Sequence, residues 1–502
     1  MRRFLRCALT TAALVAAPLA LRALGPISAG DAELQIQLAN LLIEENRYPE
    51  ALEAFGKAVD TEDRGLALRA RKGTVKTSLR LGEYRDAHDA AVSLASDIPR
   101  DAEALTLYGD ALWSVGMFDE SDAEYRKALA LAPDSSRGRF GVARSLATRN
   151  QLDEALNEAH AALALAPRDA EIHHTIGSIY ERLNRFDEAA NAYTNYINLL
   201  PNKDRSDKAA WSRAQVRFLE AFEGKVPVEM DDEDKAMLHT VPFRLVKDKI
   251  IVRGRVNGGG LMDFVLDTGS EETVVSAETA RRYNVRPITY TLSAGVGDVG
   301  LRGLPLARLD SLDIGTLQVR NLPVLIKNPA LRGIPKREGE SFSPLSLDMS
   351  MTIDYQQRQL TIARKLPEGT PDFRLPMRIH RLAMVRGMLN SKQAAYFVVD
   401  TGGEVISISA ETAALLDKSP FRRIPLQVYG TSGWDRDAFL LPGVTLDFDR
   451  IEYRNYPLVV LNLRAPGVLL GFQVGGIVGH KFLGSYRVSM DMDRSELRLE
   501  KF

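Results

Sequence analysis

Two stretches of this chain say nearly the same thing. FVLDTGSEETVVSAETA occupies Phe264–Ala280 and FVVDTGGEVISISAETA occupies Phe397–Ala413, at an offset of 133. The same offset relates Val252-Arg253-Gly254 to Val385-Arg386-Gly387 and Ser276 to Ser409. It drifts to 134 where RNLPV (Arg320–Val324) meets RNYPL (Arg454–Leu458), and to 137 between MTIDYQQRQLTI and VSMDMDRSELRL. Small loop insertions in the second copy account for the drift. From about Val241 onward, short Val/Ile/Leu-rich runs alternate with Gly- and Pro-containing turns, an all-β pattern. The second half therefore reads as one β unit used twice, at 241–365 and 376–502, joined by a connector over roughly Lys365–Arg378. The sequence leaves open whether the halves pair with each other or with halves of a second chain.

The first half follows a different rule. Prolines at 99, 133, 167 and 201 are spaced by 34, as are Tyr84, Phe118, Leu152 and Phe186, and Ala87, Ser121, Ala155 and Ala189. A longer first copy holds Tyr48, Ala51, Phe55 and Ala58. Each unit reads as two amphipathic helices that approach closely at small residues and stop at a proline, which cannot continue the hydrogen-bond ladder. No unit buries its apolar face alone, so about five stack into a solenoid with a concave groove. The pattern resembles the tetratricopeptide repeat. Gly109, Gly177, Ala128 and Ala162 match its small positions, while Arg71, Leu105, Arg139 and His173 depart at its bulky aromatic one. The array spans 32–222 and ends in a capping helix at Asp207–Phe222. Such a groove implies a protein partner; a rigid spacer is the alternative. The polar, acidic stretch 223–240 reads as a linker.

MRRFLR followed by CALTTAALVAAPLAL has the shape of a secretory signal peptide, 1–29, with cleavage after Ala29; an uncleaved anchor is the alternative and the only route to a membrane. The only cysteine, Cys7, lies within it. A cysteine-free mature chain fits a periplasmic or secreted protein of a bacterial envelope. With 65 basic against 66 acidic residues, nothing suggests a nucleic-acid surface. The seven histidines lack metal-ligand spacing, and His173-His174 read as a solvated helix face.

Paired carboxyls explain why the Asp motif occurs twice. Two such groups about 3 Å apart cannot both ionise, so they share a proton. The ionised one can take a proton from water while the neutral one donates to a carbonyl oxygen. A peptide bond is hydrolysed that way without metal or covalent intermediate. Asp267 and Asp400 are the candidates, in exchangeable roles, and no cofactor or metal is called for. Gly269 and Gly402 fit a sharp turn whose N–H groups approach the carboxylates. Ser276 and Ser409 read as helix N-caps with Glu278 and Glu411 at the positive end of the dipole.

The apolar-apolar-Asp-Thr-Gly pair, the short helix and the later GIVGHKFLGSYRVSMD resemble the retropepsin-like aspartic proteases over roughly Val241–Phe502. The resemblance implies a bilobed, duplicated retropepsin-like/pepsin-like acid protease fold, an endopeptidase acting on polypeptide, and a cross-axis hydrogen bond between Thr268 and Thr401. It implies loop support from Ser270 and Gly403, although Gly403 removes any side-chain bond to the outer carboxylate oxygen. It also implies an apolar-apolar-Gly brace, present as Ile477-Val478-Gly479. The equivalent first-half stretch, GESFSPLS (Gly339–Ser346), lacks that signature. Either that loop is braced differently or the first half has drifted toward binding, which would leave a pseudoprotease; an envelope scaffold carried by the repeats is the other alternative. LSAGVGDVG, with Gly295 and Gly297, and YGTSGWDRDAF, with Gly433 and Trp434, read as mobile flaps. Trp434 packs on a bound peptide or sits at an exposed tip. Gly295-x-Gly297-x-x-Gly300 formally matches a dinucleotide fingerprint, but no helix or βαβ unit follows, so nucleotide binding is excluded.

Overall fold

The computed structural model describes residues 26–201, 203–204, 206–327, 339–416 and 423–502. The signal-peptide expectation falls almost wholly on residues before these. Ile27 and Ser28 already belong to the folded array: the Ile27 N–H donates to the Asp60 carbonyl at 2.7 Å, and Ser28 Oγ caps the first helix. Among the described residues no helix is long and apolar enough to cross a membrane.

The first half is all helix: α1 (Ala29–Glu44), α2 (Tyr48–Val59), α3 (Arg64–Leu81), α4 (Tyr84–Asp97), α5 (Ala102–Ser114), α6 (Phe118–Leu131), α7 (Ser136–Thr148), α8 (Leu152–Leu165), α9 (Ala170–Arg182), α10 (Phe186–Leu199) and α11 (Asp207–Glu220). The odd-numbered helices open on side-chain caps, Asp63, Asp101, Ser135, Asp169 and Ser206 among them, each accepting a first-turn N–H. The helices before Pro99, Pro133, Pro167 and Pro201 stop two residues short of the ring, because the residue preceding a proline is pushed out of the α region. Small residues sit where helices touch: a Cβ on Gly109 or Gly141 would fall 2.6 or 2.3 Å from the Tyr125 ring, and one on Gly177 2.9 Å from Tyr193. Of the expected solvated histidine pair, His174 is exposed and His173 half-buried, and the His174 ring also rests edge-on against Tyr193 and Tyr196.

The linker expectation needs correcting. Val228 and Met230 are buried in the β core, and the backbones of Glu229 and Arg320 exchange hydrogen bonds of 2.9 and 2.8 Å. The strand His239–Pro242 already pairs with Gln359–Ala363. Residues 223–240 are thus fastened to the β half at Val226–Asp231 and again from His239.

In the β half, strand, strand, Asp loop, strand and short helix follow one another twice: Lys249–Val256, Met262–Leu266, Thr273–Ser276 and Ala277–Arg282, then Leu382–Leu389, Gln393–Val399, Ile406–Ser409 and Ala410–Ala414. The halves meet where Ser350–Asp354 pairs antiparallel with Tyr486–Asp491, Thr352 opposite Ser489. Strands Gln359–Ala363 and Glu496–Lys501 flank that seam, and Phe373–His380, which starts inside the expected connector and runs past its end, joins the second of them. One apolar core runs through both halves, including Phe264, Phe342, Phe397 and Phe448.

The helical and β halves share a second core. Trp113 and Phe118, at the α5–α6 turn, pack with Tyr396, Phe472 and Met384, and the Phe118 ring lies 5.0 Å from both Tyr396 and Phe472. The Gln473 N–H donates to the Ser114 carbonyl at 2.8 Å. The turns of the next two repeats make the same kind of contact: Ser495 Oγ donates to the Arg149 carbonyl, and Arg182 to that of Ile379. At the far end α11 lays Phe218, Leu219 and Phe222 against Leu306, Ile288 and Leu325 of the first half. The array therefore spans both β halves by its turn edge.

Candidate active site

Two buried strands deliver the two Asp-Thr-Gly loops. Phe264 and Leu266, and Phe397 and Val399, are fully buried, which anchors each chain segment before it turns. The loops then grip each other. Thr268 Oγ1 donates to the Val399 carbonyl at 2.6 Å and accepts from the Thr401 N–H at 3.0 Å. Thr401 Oγ1 donates to the Leu266 carbonyl at 2.8 Å and accepts from the Thr268 N–H at 3.1 Å. Four buried hydrogen bonds in reciprocal pairs leave the two loops little freedom to separate.

That grip brings the carboxyls of Asp267 and Asp400 into hydrogen-bond contact. Asp267 Oδ1 accepts from the Gly269 N–H at 3.1 Å. Asp400 Oδ1 accepts from the N–H groups of Gly402 and Gly403 at 2.8 and 3.0 Å. Burial first, then the neighbouring charge of Asp400, pushes Asp267 up to about 7, against the Gly269 N–H and Lys249, which oppose the rise. Asp400 is also raised by burial, with two N–H donors, Lys249 and Asp267 holding it back. The extra donor favours the negative charge on Asp400 and the proton on Asp267, although the titration belongs to the pair.

Each loop is braced from behind. The Asp400 N–H donates to the Val478 carbonyl at 3.0 Å, and the Asp267 N–H to the Phe342 carbonyl at 2.9 Å. Strand Ser341–Phe342 lies parallel to Met262–Leu266 as Gly476–Val478 lies beside Gln393–Val399. Of the two alternatives for Gly339–Ser346, the first is therefore the observed one: Ser341-Phe342-Ser343 stands where Ile477-Val478-Gly479 stands in the other half. Ser343 Oγ donates to the Ser270 carbonyl at 2.6 Å, a bond that Gly479 cannot make. The drift of the offset between 134 and 137 pointed to this segment; its unlike composition hid it.

Ser270 and Gly403 differ for a local reason. Ser270 Oγ donates to the Glu272 carbonyl at 2.8 Å, so its hydroxyl closes its own turn. A Cβ on Gly403 would lie 2.9 Å from Asp400 Oδ2, too close for a side chain. Ser276 and Ser409 cap their helices as expected, accepting from the N–H groups of Thr279 and Thr412 at 3.0 Å. Lys249, whose charge favours both carboxylates, was not singled out from sequence; a lone lysine opening a strand carries no signal.

The two Gly-rich hairpins meet each other. The Ser432 N–H donates to Val296, the Val299 N–H to Ser432, and the Asp298 N–H to Trp434, at 2.9, 3.0 and 2.9 Å. Gly297 has φ +135, and a Cβ there would fall 2.4 Å from the Ser432 backbone. A Cβ on Gly295 would strike Thr431, and Gly433 approaches Asp298 and Val299. Trp434 is half-buried with its ring 5.2 Å from Tyr429, so it is not an exposed tip. Among the described residues no group of three His, Cys, Asp or Glu side chains is placed to hold a metal.

Comparison with known families agrees with this division. Residues 252–334 match the family described as "gag-polyprotein putative aspartyl protease", and residues 102–135 and 140–202 match two tetratricopeptide-repeat families. The chain carries tetratricopeptide repeats followed by a retropepsin-like aspartic protease domain. No curated protein matches it. Solved structures similar to the repeat array include TTC0263, a tetratricopeptide-repeat protein of Thermus thermophilus, at 19% identity over 37% of this chain and 98% of that one, TM-score 0.32. YrrB, a repeat protein with an unusual peptide-binding site, is 23% identical over 34% of this chain and 88% of that one, TM-score 0.23. MamA from Desulfovibrio magneticus RS-1 is 18% identical over 34% and 94%, TM-score 0.26. The Asp267 loop lies inside the protease match, and the Asp400 loop lies beyond it.

Proposed function

We propose that the chain is an exported aspartic endopeptidase whose two β units, a tandem duplication, supply Asp267 and Asp400 to one active site. The observation that carries this reading is the reciprocal Thr268–Thr401 grip, which holds two half-buried carboxyls side by side with one of them raised to about 7. A water held between them loses a proton to Asp400, the anion with more N–H donors, and attacks the scissile carbonyl carbon. Asp267 donates its proton to the carbonyl oxygen. The resulting gem-diol then collapses: Asp400 gives its proton to the departing amine, and Asp267 recovers one from the diol. The interlocked flaps keep bulk water out while this happens.

The pseudoprotease alternative drew on the polar Gly339–Ser346 stretch, and that ground weakens because Phe342 accepts the same backbone bond as Val478. Residues 1–29 would export the protein to the periplasm or beyond. The array engages polypeptide from a fixed mount rather than from a loose tether, since its turn edge shares a core with the protease.

The test is cleavage of a diverse peptide pool by the signal-less chain from about pH 3.5 to 7.5, the range over which a coupled carboxyl pair is half protonated. Asp267→Asn and Asp400→Asn run in parallel. Loss of cleavage in both is expected. If only one mattered the shared dyad would be wrong, and binding without cleavage in the parent would return the reading to a pseudoprotease.

A further inference from the structure

The two Gly-rich hairpins are mounted unequally. The second, Val428–Gly430 with Gly433–Asp435, forms a two-stranded sheet of its own. The first, Pro287–Ser293 with Arg302–Ile314, belongs to the eight-stranded sheet and carries α11 along its side. Phe218, Leu219 and Phe222 of α11 pack with Ile288 and Leu306 at the root of this hairpin. Arg308 Nη1 donates to the Ala221 carbonyl at 3.3 Å, and its guanidinium lies 5.6 Å over the Phe222 ring. Nearer the tip, a Cβ on Gly303 would meet the Trp211 ring at 4.0 Å, one residue from Arg302. The root is also where the hairpin can bend. Pro287 faces Ala307 and Thr289 faces Leu306, so Ile288 is an extra residue, a bulge. α11 thus packs on the pivot. The helix is itself fixed in the array: Gln215 Nε2 donates to Glu181 Oε1 at 2.5 Å, and Phe218 packs with Phe186 and Tyr193. At the tip, three backbone bonds tie Val296, Asp298 and Val299 to Ser432 and Trp434, and Arg302 Nη2 donates to the Thr431 carbonyl at 2.9 Å. With the hairpins latched in this way Arg302 Nε is buried without an acceptor, a cost that opening relieves.

We propose that α11 holds this latch shut: the helical array, and not the β half alone, sets how often the two hairpins part and so how firmly a polypeptide is kept at Asp267 and Asp400. The inference rests on the endopeptidase reading above and names its regulation. From Pro287 to Ser293 the strand runs about 20 Å, at about 3.3 Å per residue. A tilt of about 5° at the bulge therefore moves the tip by about 1.7 Å, which takes a hydrogen bond past its useful length. The three backbone bonds of the latch, at 2.9, 2.9 and 3.0 Å, do not survive that shift. Because α11 spans the pivot and reaches Gly303, it opposes the tilt along much of the hairpin. A displacement of α11 within the array thus reaches the latch.

The experiment follows amide hydrogen exchange in the signal-less chain, the parent against Trp211→Ala, Trp211→Phe and Phe222→Ala. The Val299 and Ser432 amides, both donors in the latch, are expected to exchange at least about fivefold faster in the two alanine variants, while those of Thr268 and Thr401 keep the parent rate. Trp211→Phe keeps a ring beside Gly303 and should stay within about twofold of the parent. Trp211 is half-buried, so its alanine variant should still fold; if Phe222→Ala does not, Trp211→Ala decides alone. Unchanged exchange at Val299 and Ser432 in folded Trp211→Ala overturns the inference. Exchange quickened equally at Thr268 and Thr401 overturns it too, because the loosening would be global. For any peptide of the pool that the parent cleaves, KM should rise about threefold or more in Trp211→Ala with kcat within about twofold. An unchanged KM overturns the link from latch to peptide. A parent that cleaves nothing removes the endopeptidase reading and leaves exchange to decide the latch.

Discussion

Asp119, the second residue of α6, is where the helical array is electrostatically fastened to the β half, and Asp119→Ala tests that fastening. Its carboxylate receives Arg378 Nη2, Tyr396 Oη at 2.6 Å and Arg386 Nη1 at 3.5 Å, while Glu120 takes the other nitrogen of Arg386. The Arg378 side chain is only 9% exposed, and that of Asp119 is 36% exposed. Removing one member of a buried pair costs about 3–5 kcal/mol because the other is left charged and unpaired. Water reaching Asp119 lowers that to about 2–3 kcal/mol. The aromatic contacts of Trp113 and Phe118 remain, so the halves stay together but loosen. Urea unfolding followed by far-UV circular dichroism should show its midpoint fall by about 0.7–1 M, the cost divided by an m-value of about 3 kcal/mol/M. Strand Gln393–Val399 carries Tyr396 and runs straight into Asp400, so cleavage should fall as well. An unchanged midpoint, or a double-mutant cycle of Asp119→Ala with Arg378→Met giving under about 0.5 kcal/mol of coupling, would refute the argument.

Asp267 holds its proton to about 7 in the folded chain, against an ordinary value of 3.8, so the folded state binds more protons between those pH values. Stability therefore falls as pH rises through that window, and Asp267→Asn should be more stable than the parent above pH 7, with the difference vanishing below pH 4 in thermal melts. Thr268→Val removes the donor to Val399 and the acceptor for Thr401, orphaning two buried backbone groups at about 1–3 kcal/mol each; Thr268→Ser should restore most of the loss in a denaturant titration. Gly297→Ala puts a methyl 2.4 Å from the Ser432 backbone at φ +135, so the flaps should fail to interlock. Peptide KM should rise and hydrogen exchange at Val299 and Ser432 should quicken, while the global melting temperature stays within a degree or two.

What the sequence made legible was whatever repeats. The step of 34 located the helix stops because a proline acts on its own neighbours, and the offset of 133 located both Asp loops because a buried strand and a tight turn admit few residues. Where function rests on backbone, the letters differ and the signal fades. Phe342 and Val478 present the same carbonyl to an Asp N–H, yet Ser-Phe-Ser and Ile-Val-Gly share no side-chain chemistry. The fastening of 223–240 was illegible for the opposite reason. Its acidic composition reads as solvated, and what holds it, the β core around Val228 and Met230 and the distant Arg320 beside Glu229 and Asp231, leaves no local signal. The shared core of Trp113, Phe118 and Phe472 was likewise invisible, because an apolar residue in a repeat turn looks the same whether it faces its own repeat or another half of the chain.

The mounting of the array has a consequence for the symmetry of the site. Two like loops gripping through Thr268 and Thr401 give a cleft whose ends would be equivalent, and such a cleft has no preferred direction for a peptide. Three differences between the halves remove that equivalence. Ser270 closes its turn where Gly403 clears space for Asp400, so the two carboxyls carry unequal numbers of N–H donors. Glu272 stands where the other half has Val405. The array contacts the two halves through unlike surfaces, α11 and Phe222 packing on Leu306 and Leu325 of the first while Trp113 and Phe118 pack on Tyr396 and Phe472 of the second. The two carboxyls are thereby made unlike before any peptide arrives, and the donor-rich Asp400 is set to hold the negative charge.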